Sequence, residues 1–372
     1  MHNQNKPVLI FAQSGRFLAQ SASQAGYRVW VADCFGDLDT IVASERWQGV
    51  PNFTSLTCKQ FLTILQSLTK GEECSLIYGS GIEQCFHLLH QLPSHIELIA
   101  NSAATINTIK TPTLFFDTLR ALSLPYPNTV FDKGLTNTDY IAKSISGLGG
   151  SHISPISQLD STHNYYFQQI TDGAAYSALF LADGKKAQIL SINRQYIDPI
   201  PRSPYRLGMI ETCLDITSTH QKFIIKACNR ITQKTGLKGL NSLDFIISQK
   251  SELSILEVNP RPSASIELVE SNFIPIIQLH INACHGKLIT KPLKVPSCIN
   301  SLRYIFAEKN FLIPSDIAWP VECSDIAKPG SIIKKGDPIC SCLVQATEHS
   351  AAMVKHKVIQ THVIEQLSAR NN

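Results

Sequence analysis

Leu256-Glu257-Val258-Asn259-Pro260-Arg261-Pro262 is the stretch that decides how this chain is read. Residues two apart in a strand share a face. Glu257 and Asn259 therefore point one way, and Leu256 and Val258 point the other way, toward a core. Leu243 to Ile247 and Leu253 to Val258 read as the arms of a hairpin. A turn centred between Lys250 and Ser251 sets Asp244 opposite Glu257. Two opposed carboxylates repel each other unless a cation lies between them. With the Asn259 amide oxygen they make three hard oxygen donors on one surface. Magnesium prefers such donors and takes its remaining ligands from water and phosphate. The competing reading, two solvated acids on an ordinary hairpin, gives no reason for the rigid continuation Asn259-Pro260-Arg261-Pro262. Arg261 follows the donors directly and suits a phosphoryl group or a developing oxyanion. Its bland alternative is an arginine paired with a carboxylate.

Other basic and glycine-rich elements lie upstream. Lys143 sits near the end of a strand, Tyr140 to Ile145, ahead of Gly147-Leu148-Gly149-Gly150-Ser151. Glycines let backbone N–H groups approach phosphate closely, and a nearby lysine neutralises charge. No Gly-Lys-Ser/Thr follows, so this is not a Walker A loop. Lys110, before Thr111-Pro112 and a helix over Thr113 to Leu122, is a phosphate candidate or a solvated helix-end lysine. Gln168 and Gln169 close the strand Tyr165-Tyr166-Phe167 and could meet an adenine edge. Polar residues at strand ends are commonplace.

The first hundred residues alternate strands and helices. Val8 to Ala12 is a strand, followed by a helix through Ala25 that Gly26 ends, then a strand from Tyr27 to Ala32. Ser75 to Tyr78 leads into Gly79-Ser80-Gly81-Ile82-Glu83. This βαβ grammar predicts a parallel sheet with functional groups at the strand C-termini. Asp33 closes the second strand, as an acid binding NAD ribose would, but the first turn holds only Gly15 and no GxGxxG. Downstream, Phe223 to Thr235 and Ile266 to His280 read as helices. From about Val295, turns at Ala327-Lys328-Pro329-Gly330 and Lys335-Gly336-Asp337-Pro338 frame short strands of a small β appendage.

The composition excludes several classes. The chain has 372 residues, 44% of them hydrophobic and 17% charged, which fits a globular protein of two or three domains. A net charge of +4 without clustered Lys and Arg gives no nucleic-acid or membrane surface. The 11 cysteines lack CxxC pairs and read as free thiols of a reducing, cytoplasmic setting. No apolar run reaches the length of a signal peptide core or a membrane span.

In order, these pieces resemble the ATP-grasp superfamily from Thr105 to about Ile281, and Glu257-Val258-Asn259-Pro260-Arg261 is the most specific of them. The resemblance implies an α/β and α+β fold, with an N-terminal parallel α/β domain over 1–104, an ATP-grasp domain over 105–294 and a C-terminal β-hairpin appendage with a tail over 295–372. It implies ATP with Mg2+ or Mn2+ as cofactors. Lys110, Lys143, Gly149, Gly150 and Ser151 would contact phosphates, and Gln168, Gln169 and Ile170 would form the adenine hinge. Asp244, Glu257 and Asn259 would hold the metal, and Arg261 would serve as the catalytic cation. An acid or histidine is expected soon after Gly173, where this chain has Ala174-Ala175-Tyr176.

Ser14-Gly15-Arg16, Asp33 to Asp39 and Gly79 to Glu83 are similar to an ATP-grasp subgroup linked to methanofuran and tetrahydromethanopterin biosynthesis. That likeness implies a soluble, C–N bond-forming, ADP-forming ligase that takes a small carboxylate and an amine, as in joining glutamate to tyramine. Arg202 and Arg206 could bind a substrate carboxylate. Arg16 and Glu83 are further substrate candidates, Glu83 for the amine. A homo-oligomer is compatible with the sequence. The rivals are a biotin-carboxylase-like or carrier-linked carboxylase and a nucleotide-binding protein without catalysis. The first lacks a carrier lysine in a Met-Lys-Met setting, and the intact acid pair opposes the second.

Overall fold

Val8–Phe11 forms β1, a fully buried apolar run, and Arg16–Gln24 forms α1. Then come β2 (Val29–Asp33), α2 (Leu38–Val42), β3 (Arg46–Gly49), α3 (Cys58–Thr69), β4 (Cys74–Tyr78) and β5 (Ile96–Leu98). The five strands are parallel, in the order β3-β2-β1-β4-β5, as the βαβ pattern predicts. β3 escapes sequence reading because Arg46-Trp47-Gln48-Gly49 shows no apolar alternation. α3 starts at a reciprocal cap, in which Thr57 accepts from the Gln60 N–H and the Gln60 side chain accepts from the Thr57 N–H. The chain leaves β1 toward one edge and returns to β4 on its other side. Such a reversal opens a crevice beyond the strand C-termini, flanked here by Gln13 to Arg16 and Gly79 to Glu83.

The computed structural model describes residues 6–131, 135, 137–145, 149–150, 152–159, 164–201, 203–270, 275–290 and 297–370. After α4 (Ala103–Lys110) and α5 (Pro112–Ala121), β6 (Thr129–Val130), β7 (Tyr140–Ser144), β8 (Ile153–Pro155) and β9 (Tyr165–Gln169) form an antiparallel sheet in the order β6-β9-β7-β8. The boundary expected after residue 104 falls inside α4.

A larger antiparallel sheet follows. It begins with β10 (Ala174–Asp183), β11 (Ala187–Ile197), β12 (Leu207–Thr212), α6 (Ser218–Thr235), β13 (Lys238–Ile247), β14 (Leu253–Asn259) and α7 (Ile276–Cys284). It continues through β15 (Ile299–Phe306), β16 (Phe311–Leu312), β17 (Cys323–Ser324), β18 (Ile332–Ile333), β19 (Pro338–Ala346) and α8 (His349–Arg370). Eight strands run in the order β14-β13-β10-β11-β12-β15-β19-β17, and β16 pairs with β18. Alternation along β10 divides the core. Ala178, Phe180 and Ala182 pack with Phe116 of α5 and Ile224, Cys228 and Ile231 of α6, while Leu179 and Leu181 meet Leu18 of α1 and Ile277 of α7.

Two sequence expectations change. Ile266 to His280 is not one helix. Ala264–Leu268 is a short 3-10 turn and α7 begins at Ile276, after Pro275, with Glu270 accepting from the Ile276 N–H. Residues 271–274 lie outside the described residues. The C-terminal strands also form more than a hairpin standing apart. β15 pairs with β12, so they extend the central sheet. Ala352, Ile359, Val363 and Leu367 make one stripe of α8 that covers Phe311, Ile339 and Cys342. Lys328, beside the first C-terminal turn, lies 4.2 Å from the centre of the Trp47 ring instead of extending as a carrier arm. No helix among the described residues is long and apolar enough to cross a membrane.

Gly239, at φ 67°, lets the start of β13 approach α7, where a β-carbon would meet the His280 ring at 2.6 Å. His280 is 1% exposed, accepts from the Leu240 N–H at 3.0 Å and donates to the Ile99 carbonyl at 2.8 Å. Burial holds its pKa down to about 4. The folded value lies below the unfolded one, so this stability is present above pH 6.5 and is lost as pH falls toward 4. The loss is on the order of 3 kcal/mol. Melting temperatures measured from pH 7 to 4 should fall through that window, and His280→Gln should flatten the fall.

Candidate functional site

β13 and β14 carry the opposed acids, with Asp244 facing Glu257 and Ser242 facing Asn259. The expected pairing therefore holds, but the turn is centred one half-step earlier, on Lys250. Phe245 pairs with Ile255 and Ile247 with Leu253, and Leu256 is the extra residue of a bulge that restores the Asp244–Glu257 register. The bulge also corrects the facing. Ile255 and Val258 are fully buried in the core, and Leu256 is only half-buried.

Lys110, at the end of α4, donates to Glu257 Oε2 at 3.0 Å and to Asn259 Oδ1 at 3.4 Å. Asn259 Nδ2 donates to Asp244 Oδ2 at 3.1 Å, and Gln195 of β11 donates to Asp244 Oδ1 at 3.4 Å. Lys143 on β7 is 5% exposed, and its ammonium makes no hydrogen bond to the described residues. Its charge acts on Glu257 and Asp244. Burial, followed by the charge of Glu257, pushes Asp244 up to about 7. Burial alone would raise Glu257 too, but Lys110, His152 and Lys143 outweigh it and hold Glu257 well below the usual carboxylate range.

This surface fits a magnesium ion whose other ligands are phosphate oxygens. It offers two carboxylates and an amide, with lysines on hand for further negative charge. Among the described residues no three His, Cys, Asp or Glu side chains are grouped so as to hold a metal ion by themselves.

The segment after Asn259 is fixed from the first sheet. The Pro260 carbonyl accepts from Tyr78 at 3.2 Å and from Asn101 at 2.9 Å, and Asn101 also bonds Asn241 and the Lys238 N–H. These clamps hold Arg261, which is 9% exposed, in place. Its Nε donates to Glu83 at 2.5 Å, and the Arg261 charge reaches Asp244. Tyr78, Asn101, Gln195 and His152 went unseen in the sequence. Each joins the site from a separate element, with no local motif to mark it.

In the glycine-rich loop after β7, Gly150 has φ 79°, and a β-carbon there would fall 1.9 Å from the Tyr205 carbonyl oxygen. Only glycine lets the loop lie against residues 203–207, where the Leu207 N–H donates to the Gly149 carbonyl. Gly147, Ser151 and Arg202 lie outside the described residues. Gln168 is 1% exposed and shares with Lys143 and Tyr166 the β7–β9 face that feels Glu257. Its side-chain amide donates to Thr129, and the side-chain oxygen has no partner among the described residues. Gln169 and Ile170 are exposed, and the Ile170 N–H is taken by the Asp139 carbonyl.

Three tentative substrate residues prove to be engaged elsewhere. Five hydrogen bonds tie the Arg16 guanidinium to Glu267, Asp325 and Gln20, so it has no free edge for a carboxylate. Arg206 is bound to the Asp198 side chain and carbonyl and to the Gly336 carbonyl, and it stacks on Phe306. It ties its loop to the C-terminal strands. Glu83 is spent on Arg261 and on the Gly81 N–H, so it is not a free amine acceptor. Asp33 accepts from Gly15, Gly36 and Trp47 and is structural, which removes the NAD-ribose reading.

Residues 112–265 match the family model of the ATP-grasp domain. Among its relatives is the tyramine–L-glutamate ligase of Methanocaldococcus jannaschii, 28% identical over 134 residues, covering 36% of this chain and 39% of the relative. The chain thus spans about two fifths of the length of the curated relatives it matches. The whole fold is similar to the L-amino acid ligase of Bacillus licheniformis, with a TM-score of 0.71 at 15% identity over 96% of this chain and 98% of that one. It is also similar to the biotin carboxylase domain of Hydrogenobacter thermophilus 2-oxoglutarate carboxylase, solved with MgADP. There the TM-score is 0.73 at 12% identity over 94% and 89% of the two chains.

Proposed function

We propose that this chain is an ATP-dependent carboxylate–amine ligase. The observation that carries the reading is the partly buried Asp244–Glu257–Asn259 surface with Lys110, Lys143 and Arg261 against it. Asp244, Glu257 and Asn259 would hold Mg2+, or Mn2+ in its place, and the ion would neutralise charge on the ATP phosphates. Lys110 would exchange its Glu257 contact for a phosphate, and Lys143, buried and unpaired, would meet another. Gly149, Gly150 and Ser151 would line the phosphates, and Gln168, with Gln169 and Ile170 behind it, would face adenine. A substrate carboxylate attacks the γ-phosphate, giving an acyl phosphate and ADP. The amine nitrogen then attacks the acyl carbon, and phosphate leaves. Arg261 stabilises charge on the transferring group, and Glu83 keeps its guanidinium aimed.

The name of the methanogen relative supports glutamate as the carboxylate and tyramine as the amine, and with them a place in cofactor biosynthesis. We also propose the division into an N-terminal α/β unit, an ATP-grasp unit and a C-terminal unit that shares the central sheet.

The test is ADP release screened over amino acids crossed with amines, glutamate with tyramine included. The expected result is release that requires both partners, with a stoichiometric amide. ADP release indifferent to every carboxylate and amine would overturn the reading.

A further inference from the structure

The far edge of the central sheet gathers three thiols and an imidazole. β17 pairs with β19 in a register that sets Cys323 opposite Cys342 and Ser324 opposite Ser341. Residues two apart in a strand share a face, so Cys340 joins Cys342 on the side that α8 covers. There His356 of α8 has its Nδ1 3.1 Å from the Cys342 sulfur and its Nε2 3.0 Å from the Ser301 hydroxyl. Three cysteines and a histidine are a zinc set in composition. Among the described residues, however, no three such side chains are grouped so as to hold an ion by themselves. All three cysteines are free thiols.

The backbone decides which thiols can join. The Leu343 N–H donates to the Glu322 carbonyl at 3.0 Å, one residue beyond the Cys323–Cys342 pair on each strand. A bond in that place makes Cys323 and Cys342 a non-hydrogen-bonded pair. Such a pair has its α-carbons about 4.5 Å apart and its side chains drawn together. A disulfide asks for α-carbons roughly 4.4–6.8 Å apart, which this pair meets without backbone movement. Cys340 is one diagonal step away from Cys323, a separation of about 7–8 Å, and falls outside that range.

The surroundings give each group a different reactivity. β17 is the last strand of its sheet, and Cys323 on it is half-buried, whereas Cys340 and Cys342 are 1% and 0% exposed. The Cys340 thiol donates to the Cys323 sulfur, and this bond outweighs burial and the charge of Glu322 to hold the Cys323 thiol below its ordinary value. A thiolate that a solute can reach is the reactive form of cysteine. Burial pushes Cys342 up to about 12, so its proton must be taken when it reacts. Burial, then the charge of Arg303, hold His356 down to about 4. Its imidazole is therefore neutral at pH 7, and with Nε2–H donated to Ser301 its Nδ1 is free to accept that proton.

We infer that Cys323 and Cys342 form a reversible, peroxide-driven disulfide across the β17–β19 edge, with Cys340 as the positioning residue and His356 as the base. The inference stands apart from the ligase reading. The Cys323 thiolate attacks one oxygen of hydrogen peroxide, the O–O bond breaks, and the released hydroxide takes up the proton that Cys323 lost. Water and a sulfenic acid result. The Cys342 sulfur then attacks the Cys323 sulfur while its proton passes to His356. The S–O bond breaks, and the leaving hydroxide takes that proton as a second water. Two electrons have moved from the sulfurs to the peroxide, and a dithiol returns them by exchange. Asp325, two residues past Cys323, holds Arg16 and accepts from Ser341. Oxidation thus makes covalent the joint by which the last strands grip the first sheet.

Peptide mapping of the full chain tests it. The protein is treated with hydrogen peroxide at pH 7, the remaining thiols are capped with iodoacetamide, and a digest made without reductant is fragmented in a mass spectrometer. The expected result is a Cys323–Cys342 link that a dithiol returns to two free thiols. Cys323→Ser and Cys342→Ser should each abolish it. Cys340→Ser should still form the link, but the pH at which iodoacetamide alkylates Cys323 should move up. His356→Gln should slow the step from sulfenic acid to disulfide at least about tenfold and leave that alkylation profile where it was. A Cys323–Cys340 link in the native chain, oxidation of Cys323 that stops short of any link, or a Cys323 that peroxide leaves untouched would each overturn the disulfide. An unmoved alkylation profile in Cys340→Ser would overturn the role of Cys340, and an undiminished closing rate in His356→Gln that of His356.

Discussion

Glu257→Gln is expected to lower ADP formation about 10³-fold at a modest cost in the stability of the unliganded protein, since Lys110, His152 and Lys143 favour the charged form. The two effects have different origins. Turnover needs a formal charge at that position to hold the metal against the ATP phosphates. The cost in stability stays modest because the folded chain carries Asp244 and Glu257 opposed on neighbouring strands. Neutralising Glu257 removes the charge that, after burial, raises Asp244. It also leaves Lys110 its bond to Asn259 and an amide oxygen in place of Oε2. The measurements are steady-state ADP release and thermal melting. A variant with near-native turnover would refute the metal assignment, and one that melts far below the native chain would show Glu257 to be a structural acid.

Arg261→Ala should cost turnover on the order of 10² to 10³-fold, but here the fold suffers too. Its partner Glu83 has a side chain only 6% exposed. Stripping one member from a buried pair leaves an uncompensated charge, worth about 3–5 kcal/mol. The double variant Glu83→Gln with Arg261→Ala separates the two losses. Chemical denaturation should show most of the stability regained, while ADP release stays as low as in Arg261→Ala alone. Recovery of turnover together with stability would mean that Arg261 serves only to neutralise Glu83.

The proposed metal surface was legible because it is local. A period of two places Glu257 and Asn259 on one face, and one hairpin brings Asp244 across. The bulge at Leu256 was not legible, since nothing in Ile255-Leu256-Glu257 distinguishes a bulge from regular pairing; it shows only in the register. The clamps on Pro260 were hidden for another reason. Tyr78 and Asn101 lie 182 and 159 residues from it, and the motif around each is an ordinary strand end. Arg16 was misread by the same mechanism. A lone arginine after a first strand suggests an anion site, and only the fold reveals the acids, 251 and 309 residues away, that already fill its donors.

Those separations bear on the order in which the molecule is made. Arg16 emerges among the first residues from a ribosome, and Asp325 follows only after nearly all the others. The hairpin of β13 and β14 can close as soon as it is synthesised, because its arms adjoin. The Arg16–Asp325 contact must wait for late translation and then bring together the two most distant parts of the chain, a slow kind of closure. A nascent chain released before Asp325 would carry every proposed nucleotide-binding residue and leave Arg16 without one of its two principal carboxylates.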